Sequence, residues 1–321
     1  MNRLILSLCS MLFGLLLGIV IRGFYNKRKG TSAETMPPWL VACRTVGLYV
    51  LNPVAIICVF WVQKTSDTWM LILPPLCWLS LTLGGVAALL FSKIFKHTSK
   101  KTGAMFTVGS FSNMGSFGSI ISYAFFGEMG YAIATAYRLG EELYYYGIGF
   151  PLANYFGSKK KSGIKSAMKT VKIDKRILIF LGAFALGLLL NFTGISQPVF
   201  FNRIIGIIVP ASTFLTVLAS GYTIDFGKVR SYIKECVCVS LIKYIIVPIL
   251  MMSVFNLLKI QYIQDGLALK VLIIMTFLPS ALVALIPTQI YDLDYNLANS
   301  CWLTNTVLYF LVLPILIVFL L

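Results

Sequence analysis

Charge is scarce in this chain. Only 12% of the 321 residues are Asp, Glu, Lys or Arg, against about 25% in an ordinary soluble domain, while 58% are hydrophobic and the mean hydropathy is +0.86. No polar stretch is long enough for a separate soluble domain, so a soluble enzyme or signalling module is excluded. Histidine occurs once, at His97 in a basic connection, which removes Ser-His-Asp chemistry, His-rich metal sites and His proton relays. The seven cysteines, Cys9, Cys43, Cys58, Cys77, Cys236, Cys238 and Cys301, are odd in number and form no C-x-x-C pair, so neither a disulfide framework nor a zinc site is indicated. No metal ligand set and no cofactor motif stands out. A G-x-x-x-x-G-K-[ST] loop is also missing, so the chain does not itself couple to ATP. An intramembrane hydrolase would need a buried nucleophile and base, which these residues do not supply, and the chain is read as no enzyme.

What the chain has in place of charge is apolar length. A hydrocarbon core of roughly 30 Å is crossed by about 20 apolar residues of helix. Ten stretches qualify, at 4–22, 39–62, 69–92, 102–126, 130–154, 177–195, 198–222, 235–256, 267–290 and 296–320. The first is too long for a signal-peptide core and lacks a small-residue cleavage site, so it counts as a span. Lys and Arg outnumber Asp and Glu by 27 to 11, but they gather in short connections, which points to membrane topology rather than nucleic acid. Most of them fall in the odd-numbered connections, around Lys27, Lys96, Lys165 and Lys228. The positive-inside rule then puts both termini outside and the basic loop 157–176 in the cytoplasm, as expected of an integral protein of the plasma (inner) membrane.

Five spans on each side of that loop imply two halves of opposite orientation, 1–156 and 177–321, joined by the linker 157–176. A shift of 164 residues sets 130–146 against 294–310, pairing Tyr131 with Tyr295, Ala134 with Ala298, Leu139 with Leu303 and Tyr145 with Tyr309. It also pairs Ser116 with Ser280 and Glu141 with Asn305. The fourth span carries Gly109-Ser110-Phe111-Ser112-Asn113-Met114-Gly115-Ser116-Phe117-Gly118-Ser119 where it should be continuously apolar, and the ninth carries Pro279-Ser280-Ala281 and Pro287. Glycine tolerates unwinding and proline breaks the helical ladder, so both spans are expected to be interrupted, with Gly109, Gly115, Gly118, Pro279 and Pro287 permitting the break. Unwound backbone at membrane depth must be buried in protein or line a cavity. Half-helix N-termini at such a break favour an anion. Close packing by small residues and ordinary proline kinks are the alternative.

Ionisable groups inside the spans are few. Arg138, Glu141 and Glu142 lie roughly 12–18 Å from the outer end of the fifth span at 1.5 Å per residue. Their spacing allows an internal ion pair between Arg138 and one carboxylate. The other carboxylate is then left to be protonated, to bind a cation, to carry a proton, or to meet a base such as Lys243 from another span. Arg44 and Arg203 are near enough to span ends to snorkel. Asn52, Pro53, Pro210, Ser212 and Thr213 are mid-membrane groups that can approach the breaks, and Tyr144, Tyr145 and Tyr146 suit packing, interfacial anchoring or a planar ligand.

Three stretches, SNMGSFGSIISYAFFGEMG (112–130), PASTFLTVLASGYTI (210–224) and LPSALVALIPTQIYDLDYNLANSCWLTNTVLYFLVLPI (278–315), resemble the auxin efflux carrier family of membrane transport proteins, in particular its bacterial malate permease-like branch. The resemblance implies an all-helical membrane fold of ten spans in two inverted repeats of five, with the interrupted fourth and ninth helices crossing. It further implies a homodimer built on a scaffold of the first, second, sixth and seventh helices, with the others sliding as an elevator. Family members move organic anions, and the substrate carboxylate meets the crossover and a fifth-helix polar position. Carried onto this chain, the substrate-binding set is Ser110, Ser112, Asn113, Glu141 and Ser280, with Arg138, Glu141 and Glu142 balancing charge or carrying a proton. The plant carriers have an amide where this chain has an acid, which turns attention from auxin to proton coupling. A sodium-coupled carrier like the bile-acid symporters, and a non-transporting scaffold or sensor subunit, are the rival readings.

Overall fold

The computed structural model describes residues 13–25, 36–62, 68–158, 175–198, 200–222 and 228–320. The start of the first span, the loop 159–174 and the side chains of Ser116, Arg203 and Thr213 lie outside the described residues. Helix dominates, and the described residues contain no strand, only an isolated bridge. Among the described residues four helices are long and apolar enough to cross a membrane: Pro38–Trp61, Trp69–Ile94, Val229–Leu257 and Tyr295–Leu320. Shorter apolar helices run over Phe13–Tyr25, Leu181–Phe192 and Ile204–Ala219.

The chain separates into two compact units, and each draws on sequence from both sides of the loop 157–176. The first unit comprises Met1–Met70, Gly115–Thr135 and Asp174–Ile224. In it α1 (Asn52–Val62) lies against α2 (Lys175–Phe192). The contact is tied by Trp61 Nε1 to the Ile195 carbonyl (2.7 Å), by Asn191 Nδ2 to the Trp61 carbonyl (2.7 Å), and by an edge-on Phe60–Phe184 pair with centroids 4.6 Å apart. Helix α3 (Phe200–Tyr222) joins through Ser212 Oγ, which donates to the Gly47 carbonyl at 2.8 Å. The first, second, sixth and seventh segments thus associate in one unit, together with 115–135, which had no place in the scaffold implied by the resemblance.

The second unit comprises Leu71–Met114, Ala136–Ile173 and Asp225–Leu321. Helices α4 (Leu73–Ile94) and α5 (Ser99–Ser110) pack closely. A Cβ at Gly84 would fall 2.4 Å from the Gly109 carbonyl oxygen, and one at Gly109 would fall 2.5 Å from Ala88 Cβ. Gly109 is therefore a helical packing residue. At one end of this unit the connections share a polar cluster. Lys100 pairs with Asp292, His97 Nε2 lies 3.5 Å and Lys101 Nζ 3.8 Å from Glu235, and Tyr232 reaches Asp294 at 3.2 Å. Asp294 in turn caps the final helix, α6 (Tyr295–Leu320), by accepting from Leu297 N–H at 3.0 Å.

Candidate functional site

The apolar stretches 102–126 and 267–290, expected from the sequence as the fourth and ninth spans, are both interrupted, and the interruptions pair. Helix α5 ends at Ser110, and Phe111 turns extended at φ −74°, ψ 130°. Helix α7 (Leu267–Thr276) ends shortly before Pro279, and Ala281 is extended at φ −74°, ψ 146°. Asn113 N–H donates to the Pro279 carbonyl at 2.9 Å and Ala281 N–H donates to the Phe111 carbonyl at 3.0 Å. Ser112 and Ser280 thereby form an antiparallel bridge. Backbone groups freed from their own ladders satisfy one another, the condition under which irregular backbone is tolerated at membrane depth. Pro279 stands at the break. Pro287 does not; it lies in the first turn of the short helix Leu285–Ile290, where a missing N–H costs little. Gly115 and Gly118 lie in the π-helical turn Met114–Gly118 that follows the gap.

Lys243 holds the severed end of α5. Its Nζ donates to the carbonyls of Ser110 (3.2 Å) and Phe111 (3.0 Å) and to Ser112 Oγ (2.8 Å), and the residue is 2% exposed. It sits on the π-helical turn Ile242–Ile246. A cation is favoured at the carbonyl end of a helix by its orphan acceptors and its dipole. This answers the question of its partner: Lys243 meets the crossover.

Tyr145 ties the fifth span to the same point. Its hydroxyl accepts from Ser112 N–H at 3.1 Å and lies 2.9 Å from both the Ser112 carbonyl and Glu141 Oε1. Its ring stacks on Phe111 with centroids 4.0 Å apart. Glu141 is in addition paired with Arg138, whose Nε is 2.9 Å from Oε2, while Arg138 Nη2 is 3.9 Å from Glu142 Oε1. One guanidinium thus serves both carboxylates, the nearer one closely. Arg138 and Glu141 are both buried.

The site serines differ in what they are free to do. Ser110 Oγ is engaged with the Leu81 carbonyl at 2.8 Å and the Tyr144 hydroxyl at 3.1 Å. Ser280 Oγ donates to the Val108 carbonyl at 2.7 Å. Both are buried and fasten the crossover from within. Asn113, by contrast, uses its main chain in the bridge, and its carboxamide makes no hydrogen bond among the described residues.

In the first unit a narrow recess is lined by Asn52, Gly115, Ser119, Tyr131, Ser212 and Thr216. Tyr131 donates to Asn52 Oδ1 at 3.1 Å, and Thr216 Oγ1 to the Ser212 carbonyl at 2.7 Å. Asn52 and Ser212 thus meet the residues that follow the fourth-span break. Among the described residues no three His, Cys, Asp or Glu side chains come together as a metal site would require.

Sequence reasoning left Lys243 and Tyr145 outside the site. Each stands on a π-helical turn, Ile242–Ile246 or Tyr145–Gly149, and a third follows the gap at Met114–Gly118. Such turns recur at functional sites, but they have no sequence signature of their own. The usable signal was Lys243 itself, a lone base deep in an apolar span.

No family model matches the chain. It is similar to an uncharacterized transporter of Methanothermobacter thermautotrophicus, 26% identical over 248 residues that make up 77% of each chain. It is also similar to the uncharacterized transporter MJ1031 of Methanocaldococcus jannaschii, 25% identical over 293 residues, 90% of this chain and 91% of the relative. Similarity to transporters over most of the chain, with apolar helices of spanning length among the described residues, supports an integral membrane protein and a transporter role.

Proposed function

We propose that the protein is a secondary transporter of small organic anions, carboxylates in particular, working by elevator-type alternating access around the crossover at 111–113 and 279–281. The observation that carries this reading is the antiparallel pairing of two interrupted helices with the Lys243 side-chain nitrogen held in the gap. Irregular backbone inside an apolar helix pair is tolerated where it is buried in protein or lines a cavity, and in membrane carriers the meeting point of broken helices is where substrate and ion sites lie. The ten spans then form two inverted repeats, 1–156 and 177–321, around a cytoplasmic loop 157–176, and the family resemblance adds a homodimer.

In this reading the Asn113 carboxamide reads the substrate carboxylate. Ser112 and Glu141 shape the same point, and Ser110 and Ser280 keep the crossover closed. Proton coupling falls to Glu141. The Tyr145 hydroxyl has one proton and two acceptors at 2.9 Å, Glu141 Oε1 and the Ser112 carbonyl. A carboxylate at Glu141 draws that proton, whereas a carboxylic acid there donates its own and leaves Tyr145 to bond Ser112. The charge on Glu141 is in this way linked to the backbone of the crossover.

The experiment is uptake into proteoliposomes from a panel of small carboxylates, with thermal stabilisation of the detergent-purified protein by the same compounds. Asn113→Ala is expected to abolish uptake and ligand stabilisation while leaving the unliganded melting temperature within about 3 °C of the wild type. Unimpaired uptake by that variant overturns the site. Absence of flux for any carboxylate, with a partner protein co-purifying, favours the scaffold reading. Uptake that requires sodium favours the symporter-like one.

A further inference from the structure

The severed end of α5 is built as a site for a monovalent cation. Where the chain leaves the helix at Phe111, the carbonyls of Ser110 and Phe111 lose helical partners and point their negative ends into the gap. Ser112 Oγ completes a set of three oxygens converging on one point, at 2.8–3.2 Å from a single nitrogen. Three acceptors match the three N–H bonds of an ammonium. Unwound carbonyls at a half-helix C-terminus are the kind of ligand with which membrane carriers hold alkali ions. Here that place is taken by a side chain.

We propose that Lys243 is a tethered cation filling a monovalent-cation site formed by the Ser110 and Phe111 carbonyls and the Ser112 hydroxyl. The crossover therefore carries its own positive charge, and removing the side chain uncovers a site for a small free cation. The functional consequence, that no sodium is needed for uptake, rests on the transport reading above. The site itself does not.

The test is a salt titration of the melting temperature of detergent-purified protein without substrate, at constant ionic strength, in sodium, potassium or n-propylammonium chloride against choline chloride. n-Propylammonium replaces the atoms lost in Lys243→Ala. The wild type is expected to respond alike to all four salts. Lys243→Ala is expected to melt lower in choline and to gain about 5 °C, saturably, in at least one of the three small cations. A folded Lys243→Ala protein indifferent to all three overturns the proposal, and so does saturable stabilisation of the wild type by sodium over choline. If Lys243→Ala does not accumulate, Lys243→Ser is titrated in its place. If neither variant yields folded protein in any of the three salts, a free cation cannot stand in for the ammonium and the proposal fails. Because no substrate is present, a negative titration leaves the transport reading intact, and absence of carboxylate flux leaves the cation site intact.

Discussion

The crossover of the second unit and the recess of the first are both polar and both enclosed, yet they are made of different material. The recess uses neutral groups only: Asn52, Ser119, Tyr131, Ser212 and Thr216. Arg138, Glu141, Glu235 and Lys243, the buried charged residues among those described, all belong to the second unit. Lys243 reaches residues 110–112 directly, Glu141 through Tyr145, and Arg138 through Glu141. Neutral hydroxyls and amides are cheap to bury when bonded to neighbouring backbone, so the recess costs the fold little. Ions at the same depth are expensive unless each has its partner, so the crossover is a network whose parts depend on one another.

That difference can be broken at several strengths. Arg138→Met strips Glu141 of its guanidinium and leaves a buried carboxylate with only the Tyr145 hydroxyl, for an expected loss of about 3–5 kcal/mol. The double variant Arg138→Met/Glu141→Gln should recover most of it, and thermal unfolding of the set of four proteins measures the coupling. Near-additive losses would show that the pair is not what holds the fifth span at the crossover. Tyr145→Phe is expected to cost about 1–3 kcal/mol, because it removes the oxygen that accepts from Ser112 N–H. The same variant should weaken the dependence of uptake on a proton gradient; an unchanged dependence removes Tyr145 from the coupling. In the recess, Ser212→Ala gives up one bond to the Gly47 carbonyl and should cost only about 1 kcal/mol. A loss from Ser212→Ala as large as that from Arg138→Met would erase the contrast between the two regions.

The smallest effect belongs to His97, in the connection ahead of α5. Burial lowers its pKa below the ordinary 6.5, against the opposing pull of Glu235. The unfolded chain therefore takes up the proton first. The stability contributed by the neutral imidazole is complete above about pH 6.5 and drains away as the pH falls toward the lowered folded value. His97→Gln should flatten that part of the melting-temperature profile, and a slope that survives the substitution would assign it to another group.

The interruption of the fourth and ninth spans was legible in the residues, because small and amide side chains in an apolar segment and a Pro-Ser-Ala in its counterpart have few other uses. The residues that do the unwinding were less so. The glycines drew attention, but Gly109 is spent on close approach to Ala88, and the residues that leave the helix are Phe111, Ser112 and Asn113. No local propensity takes them out of the helix. Their conformation is fixed by the bond from Asn113 N–H to the Pro279 carbonyl and the bond from Ala281 N–H to the Phe111 carbonyl, which a reading of local pattern does not contain. The ion pairing of Arg138 followed from helical spacing alone, whereas the engagement of Lys243 depended on a helix boundary that only the fold reveals.

The crossover also sets an order of events during synthesis. The bond from Lys243 to the Phe111 carbonyl spans 132 residues of chain, and the bridge to Ser280 is more distant still. Until residue 243 has been made, the Ser110 and Phe111 carbonyls lack the Lys243 ammonium, and the Phe111 carbonyl also lacks the Ala281 N–H. The backbone at the end of α5 is fully bonded only after Lys243 and then Ala281 have been made. A nascent chain halted before residue 243 should accordingly be a substrate for membrane quality control, however apolar its helices are.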